Sequence, residues 1–530
     1  MPAAIRLRGF YGELPALNAS YLPDQNAQIA RNTRLWRESL RPVNGLRAIV
    51  PITTASAPQT IYRYNNTSWF EWTEDVDVVR SPVPNDQYGR AYFTRASDGP
   101  WVTASAIATL GSPPFPGANR YRIGVPTPTV APTLAAGTAT GITGTFFYVY
   151  TVVNLWGEEG APSPVSAGIT VTNTKVNVTL TAVAAGSYAT VSAYRIYRTN
   201  TLGTAFQFVA QVAGTTYTDQ TAVLIEELPS AEWDPPPTDL KGFIMLPNGV
   251  IAAFRGNEIR LSEPGLAHAW PADYSYQTDF PIVALAPIDN GFAALTSGEP
   301  YLFIGTHPGA MAPAKLENSY ACMSKRGVAR FGNSAVYPSA NGLAYVTASG
   351  VQLLTDQVYD EQDWAAVRPG TLKAFNWRGR YVGFYTDLDD QLQGLIFDPG
   401  NPERGVGRFY GLDFGGAHED LGTADVYVSS PTHIALWDAG DPQSLLWRSK
   451  RYELPVARSM TVVQVWAESY PVTVAVYRDG QLQDRVRVAS NLPHRVRNSR
   501  LGRVYEIEIE ADDEVHEVLV GASSKDLRQS

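Results

Sequence analysis

The chain has 530 residues, a net charge of −9, 18% charged residues, 44 glycines, 38 prolines and one cysteine. Its length sets a prior of about three domains, and the abundance of turn formers, aromatic and β-branched residues favours strands over helices or disorder. An acidic balance excludes stable DNA binding through phosphate contacts, and a single Cys322 excludes an intrachain disulfide and points to assembly in a reducing compartment.

Residues 1–47 read as an N-terminal interface segment. Seven Arg against three acids give it a local charge of +4 inside an acidic chain. Asp24 is positioned to cap a short helix over Gln25 to Asn32 with Ala27, Ile29 and Ala30 on its apolar side. With little apolar surface for self-packing, Arg6, Arg8, Arg31, Arg34, Arg37 and Arg41 become the candidate interface residues. No apolar run follows Arg6 and Arg8, so no secretion signal is expected, and no stretch is long enough for a membrane span.

Residues 48–126 read as the first strands of a β-propeller. Ile61-Tyr62-Arg63-Tyr64, Trp69-Phe70-Glu71-Trp72, Tyr92-Phe93-Thr94 and Trp101-Val102 are separated by the turn formers Asn65-Asn66 and Asp98-Gly99-Pro100. Residues 127–237 differ in character: they are bounded by prolines, rich in Thr, Ala and Val, and nearly uncharged up to Glu158. Tyr148 to Val153, Tyr194 to Arg198, Phe206 to Ala210 and Thr215 to Asp219 are spaced as in a fibronectin type III or immunoglobulin-like sandwich inserted into the propeller.

The remaining blades occupy residues 238–446. Turns at Asn248-Gly249, Asn290-Gly291, Gly332-Asn333, Arg378-Gly379 and Thr423-Ala424-Asp425 each launch an alternating apolar run, about forty-two to forty-seven residues apart. A second run follows some ten residues later, beginning at Ile259, Tyr301, Leu343, Leu395 and Ile434. That period is one four-stranded blade, which buries its faces only against neighbours. Residues 447–530 lose the period and read as a C-terminal β-sandwich of strictly alternating strands. In Tyr505 to Glu510 the isoleucines face one way and the glutamates the other; the basic stretch from Arg478 to Arg503, if it lies beside them, is able to form a cross-strand charge ladder, and its arginines read as solvated charges rather than as a functional basic patch. The fold class is therefore all-β.

Chemistry is sparse. The six histidines show no metal-pair spacing, and no nucleophile elbow, phosphate loop or dinucleotide fingerprint occurs. No catalytic residue, cofactor or metal is expected. Acidic clusters at Glu71, Glu74, Asp75 and Asp77, at Asp356, Asp360, Glu361 and Asp363, and at Asp387, Asp389 and Asp390 read as loop charges or a hairpin turn, against a glycosidase pair or a calcium loop. Trp69, Trp72, Trp101, Trp156, Trp270, Trp364 and Trp377 read as packing between blades rather than as sugar platforms.

Gly9-Phe10-Tyr11-Gly12-Glu13-Leu14-Pro15, Leu22 to Asn32 and Leu40-Arg41-Pro42, with Trp447-Arg448-Ser449-Lys450, Ser469 to Val474 and Tyr477-Arg478-Asp479-Gly480, resemble the two ends of tail nozzle proteins (tail tubular protein B, or tail hub) of short-tailed bacteriophages. The resemblance implies a non-enzymatic virion protein: a homo-hexameric ring below the portal and adaptor, docking tail fibres, assembled in the bacterial cytoplasm. Genomic DNA would pass through its lumen, where acidic walls repel phosphates and let the duplex slide. The alternatives are another tail or fibre-docking protein, and a polysaccharide-binding or polysaccharide-cleaving propeller.

Overall fold

A computed structural model describes residues 4–35, 37–95, 98–201, 203–317, 320–410, 412 and 414–529. The chain is all-β, a β-propeller by its repeated four-stranded antiparallel sheets. Blade 1 comprises Val76–Arg80, Ala91–Arg95, Trp101–Thr103 and Tyr121–Arg122; blade 2 comprises Lys241–Met245, Ile251–Arg255, Glu258–Leu261 and Ser275–Gln277. Blade 3 is Ile282–Ile288, Gly291–Thr296, Tyr301–Ile304 and Ala312–Lys315, and blade 4 is Ala329–Arg330, Ala335–Ser339, Gly342–Thr347 and Gly350–Leu353. Blade 5 is Lys373–Trp377, Arg380–Thr386, Leu392–Phe397 and Val406–Phe409. Blade 6 takes Ala417–Asp420, Asp425–Ser429 and His433–Leu436 from late in the chain and its fourth strand, Arg47–Pro51, from early in it.

The five launching turns fall where the sequence puts them. Arg378 and Gly379 are a two-residue loop with φ of 51° and 80°, closing the Trp377 to Arg380 pair. Two positive φ values define a type I′ turn, whose twist matches the strands it joins. Asp387 caps the next reversal by accepting from the amides of Asp389 and Gln391, so this acidic cluster is a hairpin turn.

The chain divides into two compact units, residues 1–63, 295–300 and 315–530, and residues 64–294 and 301–314. In the second unit, blades 1 and 2 share a core around Val79, Tyr92, Phe243 and Trp270, and blades 2 and 3 share one around Phe254, Ile259, Phe292 and Phe303. Phe292 and Phe303 are cross-strand partners stacked at 5.0 Å, a pair contributing about 0.5–1.5 kcal/mol beyond area burial.

Within this unit, Thr133–Phe146, Ile169–Thr179 and Thr216–Asp219 form one three-stranded sheet and Tyr148–Asn154, Val191–Thr199 and Phe206–Val212 another. Both contribute to a single core that includes Phe146, Tyr150, Val176 and Ile196. A buried ion pair ties the layers: Arg198 Nε donates to Asp219 Oδ2 at 2.8 Å, and Tyr148 OH donates to the same oxygen at 2.8 Å. The pair is 1% and 0% exposed, so neither charge has water to fall back on.

In the first unit, blades 4 and 5 pack around Leu343, Trp364, Tyr381 and Leu395, and blades 5 and 6 around Phe384, Phe409, Val428 and Trp437. A further core holds Ile5, Leu7, Phe10, Ala27 and Ala30 together with Trp447, Val474, Ile507 and Val518. It is made from both ends of the chain.

Candidate functional site

The helix expected over Gln25 to Asn32 is absent: Ala27–Arg31 is a β-strand. It pairs antiparallel with Leu445–Ser449, Ala30 opposite Trp447, and meets Val406–Phe409 in parallel at Arg31 and Arg408. The strand thereby joins blade 5 to the C-terminal strands in one ten-stranded sheet. The premise that residues 1–47 have little apolar surface to bury within the chain also fails, because Ile5, Leu7, Phe10, Ala27, Ala30, Leu35 and Leu40 are core residues.

The Gly9 to Glu13 motif has a structural explanation. A Cβ on Gly12 would lie 2.4 Å from the Val406 carbonyl oxygen, so the two backbones meet closely only because the side chain is missing. Phe10 sits edge-on to Trp447 at 5.0 Å, and Trp447 Nε1 donates to the Tyr11 carbonyl at 2.9 Å. Glu13 Oε1 accepts from the Ala30 amide at 2.9 Å while its Oε2 accepts from Arg408 Nε at 3.1 Å. Burial pushes the Glu13 carboxyl above its ordinary range, and the nearby Arg408 offsets this only in part. Asp24 caps no helix; it pairs with Lys450 at 3.0 Å.

The six candidate arginines divide. Arg6 pairs with Glu517, Arg34 with Asp438, and Arg41 with Glu514 at 2.9 Å. Arg31 lies over the Tyr410 ring at 3.9 Å. Arg8 and Arg37 are exposed, and no ion pair involves either among the described residues. Four of the six thus have partners within the chain, and Arg8 and Arg37 remain as the outward charges.

Of the three glutamates in Tyr505 to Glu510, Glu510 is exposed as expected, but Glu506 and Glu508 are buried. Glu506 is 2% exposed, held by Arg448 at 2.7 Å, Arg451 at 3.1 Å and Gln28 Nε2 at 3.0 Å. Strand Val472–Arg478 separates the basic strand Gln481–Val488 from the acidic strand Gly502–Ala511. The ladder forms across it: Ala475 is opposite both Arg485 and Glu508, and its small side chain lets the two meet at 3.3 Å. Sequence reading missed this face because the arginines that cover Glu506 come from Arg448 and Arg451, outside the strand whose alternation was read.

The remaining acids serve local structure. Asp360 Oδ1 caps the short helix Glu361–Ala366 at the Asp363 amide, Glu74 pairs with Arg95, and Asp77 Oδ2 accepts from the Gly242 amide at 3.0 Å. Glu71 is buried. Among the described residues no group of three or more His, Cys, Asp or Glu is arranged to hold a metal, and no helix is long and apolar enough to cross a membrane. Cys322 is buried, and burial pushes its thiol up to about 12.

No protein-family model and no curated protein matches the chain. Among solved structures, the WD40 domain of SCAP from fission yeast is 10% identical over 91% of this chain and 95% of its own, with a TM-score of 0.27. An exo-β-1,3-galactanase from Phanerochaete chrysosporium is 10% identical over 73% and 100%, with a TM-score of 0.21. PorZ of Porphyromonas gingivalis is 14% identical over 67% of this chain and 46% of its own, with a TM-score of 0.25. Likenesses this low carry no argument, and the fold assignment stands on the sheets themselves.

Proposed function

We propose that the chain is a structural virion protein of a short-tailed bacteriophage, the tail nozzle, and that it works without catalysis. The observation carrying this reading is that the widely separated segments resembling nozzle proteins fold as one body. Tyr11 receives the Trp447 indole hydrogen bond, Asp24 pairs with Lys450, and Ala30 lies opposite Trp447. A motif set whose members support each other behaves as a structural module, which is what a wall component requires. The acids singled out in the sequence serve as caps, turns and ion pairs, in keeping with a scaffold.

In this reading copies of the chain assemble as a homo-hexamer below the portal and adaptor, dock tail fibres, and guide DNA past an acidic lumen. Exposed Arg8 and Arg37 are the interface candidates that stay available to a neighbour. Single-particle imaging of the purified protein tests the proposal. Six-fold rings with an open bore support it. Three-fold spikes indicate a receptor-binding protein, and monomers that release reducing sugar from bacterial polysaccharide indicate an enzyme; either refutes it.

A further inference from the structure

Two surface segments carry exposed aliphatic side chains next to charges of one sign, and the two signs are opposite. The first is Val223 to Glu227, which follows strand Thr216–Asp219 of the inserted sheets. It is pinned on both sides. The Thr221 amide donates to Asp219 Oδ1 at 2.8 Å, the Thr221 carbonyl accepts from Arg198, and the Glu226 carbonyl accepts from the Phe208 amide at 2.7 Å. Leu224 is buried, while its neighbours Val223 and Ile225 are turned outward, 75% and 83% exposed. Glu226 and Glu227 are exposed beside them, and no ion pair involves either among the described residues.

The second segment is an end of the terminal sheets, where the loop 497–503 lies against the hairpin joining Val472–Arg478 to Gln481–Val488. Arg478 Nη1 donates to the Asn498 carbonyl at 3.3 Å and Gln483 Nε2 to the Arg497 carbonyl at 3.2 Å. Leu482 and Leu501 stand out from this end, 52% and 70% exposed. Arg478, Arg497, Arg500 and Arg503 against Asp479 and Asp484 leave two positive charges in surplus. Both acids accept from backbone amides, Asp479 from Arg503 at 3.2 Å and Asp484 from Arg497 at 2.7 Å, and no ion pair involves any of the four arginines among the described residues.

Single exposed aliphatic residues are ordinary on a surface, but pairs of them held beside uncompensated charge mark a place of contact. The two segments complement each other in sign and in kind: two aliphatics with two glutamates on one, two leucines with a surplus of two positive charges on the other. Every copy of the chain carries both, so a second copy supplies the matching surface.

We propose that Val223 to Glu227 of one copy docks on the Leu482 and Leu501 end of a second copy, with Val223 and Ile225 against the leucines and Glu226 and Glu227 against Arg497 and Arg500. The contact joins two different patches, and such a head-to-tail interface closes a ring where its rotation allows and otherwise runs on as a filament. It rests on the assembly of copies in the nozzle reading and names the surfaces that make it. The test mixes two full-length variants, Ile225→Cys and Leu501→Cys, under mild oxidation. Both positions are exposed and Cys322 is buried, so a disulfide reports the contact. A pair linked between 225 and 501, identified by peptide mass spectrometry, is expected at about tenfold or more the yield of linked pairs from either variant alone. Glu226→Arg with Glu227→Arg in the first chain should remove the link, and Arg497→Glu with Arg500→Glu in the second should restore it; a link that persists through the glutamate substitutions overturns the proposal. Light scattering and imaging of the unaltered chain separate this inference from the nozzle reading. Six-fold rings without the link overturn the docking and leave the nozzle standing, linked filaments support the docking and refute the nozzle, and monomers at every concentration with no link overturn both.

Discussion

The inserted sheets and the terminal sheets are built from the same materials and assembled in opposite ways. Residues 127–237 supply every strand of the inserted pair, and a contiguous stretch encloses one core. The terminal region draws Ala4–Leu7 and Ala27–Arg31 from one end of the chain and pairs them with Val515–Gly521 and Leu445–Ser449 from the other. Closing a contiguous stretch costs little loop entropy, whereas pairing strands more than four hundred residues apart requires much of the intervening fold to be in place. The difference shows how a segment resembling an exposed arm can be the centre of a sheet.

The largest expected effect breaks one region and spares the other. Removing residues 1–34 strips five positions, Ile5, Leu7, Phe10, Ala27 and Ala30, from the terminal core, so its near-UV circular dichroism and calorimetric transition should vanish while the inserted sheets still melt cooperatively. The converse disruption is Asp219→Ala, which leaves Arg198 buried without its partner; a loss of about 3–5 kcal/mol from the inserted sheets is expected in denaturant titrations. Gly12→Ala presses a methyl against the Val406 carbonyl and should cost the terminal region about 1–3 kcal/mol, read as a lowered melting temperature.

A pH titration sharpens the contrast. Burial pushes Glu158 up, but hydrogen bonds and charge from His268 and Arg90, with Asn154 also bonded, outweigh it and hold its carboxyl below the ordinary range. Its folded pKa lies below its unfolded one, so its stabilising contribution is present above the unfolded value and is lost as pH falls through the folded value. Acidification should therefore loosen the inserted sheets from their neighbouring blades, and Glu158→Gln should flatten that dependence in melts recorded from neutral to acidic pH. The smallest effect is a gain. Arg378 holds a φ of 51° that asparagine adopts more readily, so Arg378→Asn should stabilise blade 5 by about 0.5 kcal/mol, measured by chemical denaturation.

The blades were legible because each is a local device: a turn with positive φ, such as Asn290 at 57°, then an alternating strand within a few residues. Strand Ala27–Arg31 was not, since Gln, Ile and Ala at its centre have fair helix propensity and the partners that override it lie at Val406 and Leu445 onward. Glu506 and Glu508 read as solvent-facing by alternation, and only the fold brings Arg448, Arg451 and Arg485 over them. Trp156 read as blade packing, and it does pack against the core of blades 1 and 2, edge-on to Tyr121 at 5.8 Å; what the sequence does not show is the Asn154 turn that places it there. Of the candidate arginines, sequence gave the charge and its clustering; it could not give the partners Glu514, Glu517 and Asp438, which lie far along the chain.

The central claim is that the two ends of this chain form one body with blade 5. Amide hydrogen exchange over residues 27–31 addresses it directly. If the strand is the inner member of the ten-stranded sheet, its amides exchange as slowly as those of Leu445–Ser449 and lose that protection together with them as denaturant is raised. Rapid exchange of 27–31 while Leu445–Ser449 stays protected would contradict the account.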